Sequence, residues 1–150
     1  MSATLLRPTS YEPARSATSA SRSTLPSRRS VIAGRVLTGI VGLLLAMDAG
    51  MKLLLAKPAV EGSAALGFNP QQVFVIGVIA AICLVLYLVP RTAPIGAVLW
   101  TGYFGGAILL HFRAGDPLFS HILPPIYVSI LIWGSLYLRD PRVRAVLGKR

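Results

Sequence analysis

The chain has 150 residues, 54% hydrophobic and only 13% charged, with a formal net charge of +10. The length suits one domain, and the charge content is about half the roughly 25% of a soluble domain. The excess cations sit in tails and short loops around apolar runs and are not interleaved with aromatic residues, so they point away from a nucleic-acid partner and read as topology signals.

Residues 1–30 hold eight serines, five arginines, three prolines and a single acid, Glu12. A segment of this kind buries little and is expected to be a disordered, basic cytoplasmic tail. It shares its Arg- and Ser-rich composition with organellar transit peptides but shows no clear amphipathic period. The first apolar span is placed at about 31–56, ended by Lys57-Pro58, because proline disfavours helix at the preceding residue. A loop is expected over 59–71, with the turn pair Asn69-Pro70. The second span is about 72–89. The connection Pro90-Arg91-Thr92-Ala93-Pro94 is short enough to make it an antiparallel neighbour of the third, at about 95–112. The loop 113–119 carries Gly115-Asp116-Pro117, and the fourth span, about 120–138, has Pro124-Pro125 in its first turns, where missing N–H groups cost least. A basic tail, 139–150, closes the chain.

No Asp, Glu, Lys or Arg occurs in residues 62–90, 92–112 or 117–138. Such runs cross a hydrocarbon core of ~30 Å at 1.5 Å per residue. The expected fold is therefore all-α, an integral membrane four-helix up-down bundle over residues 31–138, with the lipid bilayer as its surroundings. Twelve of the fifteen basic residues fall in the two tails, at Arg35 or at Arg91; only Lys52, Lys57 and Arg113 fall on the other side. By the positive-inside rule both termini are expected in the cytoplasm. Gly102-x-x-x-Gly106, with Gly105 beside it, offers a small-residue face for helix packing. Gly34, Thr38, Gly42 and Ala46 offer another. Trp100 and Trp133 lie deeper than an interfacial belt and are expected in the core, as is Cys83, the single cysteine, which can form no internal disulfide.

Asp48 and Lys52 interrupt the first span. Four residues apart, acid before base, they share one helix face in the order that favours a pair. Asp48 lies 13 residues beyond Arg35, ~10 Å below the outer edge of the core. A charge there costs at least ~2.5 kcal/mol, so it faces the bundle interior and serves either a site or a structural pair. The topology brings His111, ending the third span, and His121, opening the fourth, to the same level, with Arg113, Asp116 and Glu61 in the outer loops. Histidine titrates near neutral pH, so this candidate polar site could handle protons or bind a ligand. Metal ligation by His111, His121 and Asp48 has no supporting spacing motif, and no metal is assigned. No phosphate loop, nucleophile elbow, CxxC or haem-attachment pattern is present.

Pro90-Arg91-Thr92-Ala93-Pro94-Ile95-Gly96-Ala97, Thr101-Gly102-Tyr103-Phe104-Gly105-Gly106-Ala107, His111-Phe112-Arg113 and Gly115-Asp116-Pro117-Leu118-Phe119-Ser120-His121 together resemble the DoxX-like family, as does the lysine that closes the first span, Lys52. The likeness covers roughly residues 33–140. It implies a four-helix protein of the bacterial inner membrane. Most relatives have no defined activity; the name-giving branch is the membrane subunit of an archaeal thiosulfate:quinone oxidoreductase, and others are linked to oxidative-stress systems. Quinone as a cofactor and a redox partner protein follow from this analogy alone, since no diagnostic cysteine or quinone motif ties the chain to that branch. Three functions remain open: a support protein of a redox or quinone-linked membrane system, without demonstrable activity by itself; a small-molecule transporter or ligand-binding membrane protein; and a structural or interaction subunit whose Asp48–Lys52 pair fixes packing. The sequence assigns no oligomeric state.

Overall fold

A computed structural model describes residues 27–147. Six α-helices follow in order: α1 (Arg28–Leu53), α2 (Lys57–Ala65), α3 (Pro70–Leu88), α4 (Ala93–Ala114), α5 (Leu123–Arg139) and α6 (Pro141–Leu147), with a π-helical turn, Leu118–Ile122, leading into α5. No strand occurs among the described residues. The expected all-α bundle of four long apolar helices holds, the fourth being the π-turn and α5 taken together.

Local chemistry explains the boundaries. The Ser27 hydroxyl caps α1 by accepting from the Ser30 amide at 3.2 Å, so residues 28–30 are helix and not tail. The remainder of the expected disordered tail lies outside the described residues. Helix α1 stops at Leu53, three residues earlier than expected. Leu55 then takes φ 50°, a left-handed conformation unusual for a branched side chain. Lys57-Pro58 therefore does not close α1. Proline instead sits in the first turn of α2, where its fixed φ suits a helix start. The loop expected over 59–71 is thus mostly this short helix, followed by Gly67 at φ 87°. Asn69 and Gln72 exchange two 2.9 Å bonds in a capping box that launches α3. Gly115, at φ 75°, supplies the left-handed residue that ends α4. Asp140 accepts from the Arg142 amide at 2.8 Å and starts α6, so the expected C-terminal tail is partly helical.

The long helices pack in a ring, α1–α3–α4–α5, each against its neighbours. The start of α1 meets the end of α5, where the Ser30 hydroxyl donates to the Leu138 carbonyl at 3.2 Å. The end of α3 joins them, because Arg139 donates to the Tyr87 carbonyl at 3.2 Å. The two ends of the described chain therefore share one end of the bundle, the termini end. Helix α2 and the α4–α5 turn share the other, the loop end.

The core is narrow. Val41, Leu45, Ala80, Tyr87, Trp100 and Leu136 are buried in it, and the Tyr87 hydroxyl meets Ser135 at 2.6 Å. Cys83 is buried and free, as expected. Large apolar side chains such as Leu43, Val85, Val98, Leu109 and Ile130 face outward. Helices apolar on every face belong in a lipid environment. Trp100 is fully buried, whereas Trp133 is only half-buried; its indole N–H donates to Thr101 at 3.0 Å.

Close helix approach occurs at other glycines than those expected on α4. A Cβ on Gly96 would lie 2.3 Å from the Tyr87 nitrogen, and one on Gly77 2.9 Å from the Leu53 nitrogen. Gly34 and Gly42 also meet neighbouring side chains, as the small-residue reading of α1 anticipates, but Ala46 is exposed. A Cβ on Gly102, Gly105 or Gly106 would meet no atom of the chain within 4 Å. These three glycines do not pack helices within the described bundle. The GxxxG spacing is present, but no helix lies against it.

Candidate functional site

Asp48 and Lys52 form an ion pair one turn apart near the end of α1. The Lys52 side chain is 17% exposed and that of Asp48 38%, so the ammonium is the deeper partner and does not snorkel free. Across the ring, α4 presents Tyr103. Its ring lies 6.0 Å from the Lys52 ammonium. The Asp48-paired ammonium and a phenol ring thus link two helices that are otherwise diagonal in the bundle.

Two helical turns beyond Tyr103 on the same helix, His111 faces the turn made by Gly115. The Asp116 amide donates to the His111 carbonyl at 3.1 Å, and the Asp116 carboxylate meets His111 Nδ1 at 2.7 Å. With Asp116 ionised, Nδ1 carries the proton, and in the neutral ring Nε2 is left as an acceptor. The His121 ring, on the π-turn, lies 5.0 Å from that of His111, and its Nδ1 is paired with Ser120 Oγ at 2.7 Å. The π-turn brings His121 back toward α4; such turns recur at functional sites.

These groups border one cavity of about 780 Å³ at the loop end. Asp48, Lys52, Tyr103, His111, Asp116 and His121 supply its polar lining. Leu66, Phe68, Ile76, Phe104 and Leu110 supply apolar wall, and α2 contributes one side through residues such as Pro58 and Ser63. The volume lies in the range of small-molecule pockets, which combine apolar walls with a few placed polar groups. When both histidines are neutral the lining carries two carboxylates against one ammonium, so the cavity is suited to take up a proton or a cationic group.

Four of the expected site residues, Asp48, Lys52, His111 and His121, are therefore brought together. Arg113 is exposed and does not border the cavity. Glu61 also stays outside, 3.9 Å from Lys57 in an exposed pair. Among the described residues no three His, Cys, Asp or Glu side chains stand close enough to hold a metal ion, so Asp48, His111 and His121 do not form a ligand set. Tyr103 is the residue that sequence reading passed over. Its position two turns before His111 on one helix face was the available signal.

The sequence profile of the DoxX-like family matches residues 36–135. The chain belongs to the DoxX-like family. The match reaches into all four long helices and contains every residue that borders the cavity. With four helices long and apolar enough to cross a bilayer, this DoxX-like chain is a multi-pass membrane protein. No curated protein and no solved structure matches it.

Proposed function

We propose that this DoxX-like protein binds a small amphipathic molecule in the loop-end cavity and exchanges a proton with it there. The observation that carries this reading is the convergence of two separate polar pairs, Asp48–Lys52 on α1 and His111–Asp116 at the α4 turn, on one apolar-walled space. Ionisable groups at membrane depth are costly, and a structural pair alone would not require an adjoining cavity.

The loop end is assigned to the non-cytoplasmic face of a bacterial inner membrane. Arg28, Arg29, Arg35, Arg91, Arg139, Arg142 and Arg144 gather toward the termini end, against Lys52, Lys57 and Arg113 toward the loop end, which supports cytoplasmic termini.

Family membership favours a redox-linked role as the second element of the proposal. The cavity's residues fit a quinone-type ring: Lys52 and Tyr103 can donate to ring oxygens, as can His111 Nε2 when its ring is protonated, and Phe68, Phe104 and Leu110 can flank an apolar body. Bound there, such a ring would supply electron-transfer chemistry, while the protein's own groups would orient it and move protons at Asp48 and His111.

The test is binding of decylubiquinone to the purified protein in nanodiscs. Saturable binding that weakens at least tenfold in both Asp48→Asn and His111→Ala supports the reading. Saturable binding untouched by either substitution places the ligand elsewhere. Absence of binding, together with flux of a small solute into vesicles that Asp48→Asn abolishes, would replace the quinone by a transported substrate.

A further inference from the structure

A second concavity lies on the outside of the bundle, where α4 and α5 pack least closely of the neighbouring pairs. It is a shallow groove of about 630 Å³ between Thr101, Phe104 and Gly105 on one side and Ile130, Trp133 and Gly134 on the other. The missing side chains of Gly105 and Gly134 open it, because a Cβ on either would meet nothing within 4 Å.

Its polar atoms are already used internally. Thr101 donates to the Ala97 carbonyl at 2.8 Å and accepts from Trp133 at 3.0 Å. Ser129 donates to the Pro125 carbonyl at 2.8 Å. Apart from the Tyr137 hydroxyl at its termini end, the groove offers an occupant no free donor and suits an apolar chain. On α5 it extends from Ile126 to Tyr137, about 17 Å of helical rise, close to the ~15 Å depth of one leaflet.

Its termini end is cationic. Helix α6 turns back so that Leu147 closes the groove, and the Arg144 guanidinium stacks 5.1 Å over the Tyr137 ring. Arg144 Nε and one terminal nitrogen donate to the Tyr137 carbonyl at 3.2 and 3.1 Å. Its other terminal nitrogen, Nη1, has no partner among the described residues. Arg142 is exposed on the same short helix.

We infer that this groove is a lipid site that takes one acyl chain of an anionic phospholipid from the leaflet at the termini end, with the phosphate at Arg144. An apolar slot of one leaflet's depth, ending under a guanidinium with donors to spare, matches the two parts of such a molecule. The groove shares one lining residue, Phe104, with the loop-end cavity.

Native mass spectrometry of the full chain, with dioleoyl phosphatidylglycerol and dioleoyl phosphatidylcholine titrated in turn, tests this. The expected result is preferential retention of phosphatidylglycerol. Arg144→Gln should weaken it about fivefold, the effect of one basic residue at an anionic surface, and leave phosphatidylcholine unchanged. Gly105→Leu, which fills the groove from a position where a Cβ meets no atom of the chain within 4 Å, should weaken both lipids. Retention unaffected by Gly105→Leu overturns the inference. So do disulfide-linked dimers formed by Gly105→Cys in membranes, which would make the groove a contact between copies.

Discussion

The Lys52 ammonium, paired with Asp48 one turn earlier on α1, lies 6.0 Å from the centre of the Tyr103 ring of α4, the helix diagonal to it in the bundle. This contact joins two sides of the loop-end cavity, which both residues border. The ion pair also explains how an acid inside an apolar span is tolerated: its charge is opposed by an ammonium.

Removing one member of that pair leaves the other uncompensated. Asp48→Asn is expected to lower stability by about 2.5 kcal/mol, the cost of an unpaired charge on the lenient insertion scale. Asp48→Asn combined with Lys52→Met should recover most of the loss. Thermal or denaturant unfolding in nanodiscs measures both. A double variant as unstable as the single one would show that the pair is not coupled.

The His111–Asp116 contact across the Gly115 turn is expected to couple by about 1 kcal/mol in a double-mutant cycle of His111→Ala and Asp116→Ala. Arg113→Ala, two residues away but exposed, is expected to stay within about 0.5 kcal/mol of the parent. Unfolding midpoints of the variants give all of these values. Additive losses from the two single changes would mean that the contact does not hold the turn.

The glycines of α4 separate into two kinds. Gly96→Ala would place a Cβ inside the Tyr87 backbone, so α3 and α4 must part, with an expected loss of about 3 kcal/mol. Gly102→Ala meets open space and is expected to be neutral or to stabilise by about 0.5 kcal/mol. Folded yield and melting temperature in detergent report the difference, and equal losses at the two positions would contradict the packing described.

Reporter fusions at residues 64 and 150 are expected to fall on opposite sides of the membrane, with residue 150 in the cytoplasm. Residue 64 lies in α2 at the loop end. Fusions reporting the same side would invalidate the four-span topology and the shared level of Asp48 and His111.

The long spans were legible because an uncharged run of bilayer length has few other uses. The same arithmetic puts Asp48, Lys52, His111 and His121 at one level, and all four border the loop-end cavity. Helix α2 was hidden because Pro58 reads equally as the end of one helix and the start of the next. Tyr103 is easily passed over because an aromatic residue in an apolar helix reads as core, and only its place two turns before His111 marks it. The Gly102–Gly106 spacing misled for a related reason. A stripe of glycines permits a close neighbour but does not supply one, and the neighbours of α4 approach at Gly96 instead.

The central claim, a ligand in the loop-end cavity, is tested most directly through Trp100. Its ring lies 5.0 Å from that of Tyr103, which borders the cavity. In a Trp133→Phe background Trp100 is the only remaining tryptophan of the chain. The account predicts saturable quenching of its fluorescence by decylubiquinone, lost when Gly106→Leu fills the cavity from a position where a Cβ meets no atom of the chain. Quenching that never saturates, or that survives Gly106→Leu unchanged, would contradict it.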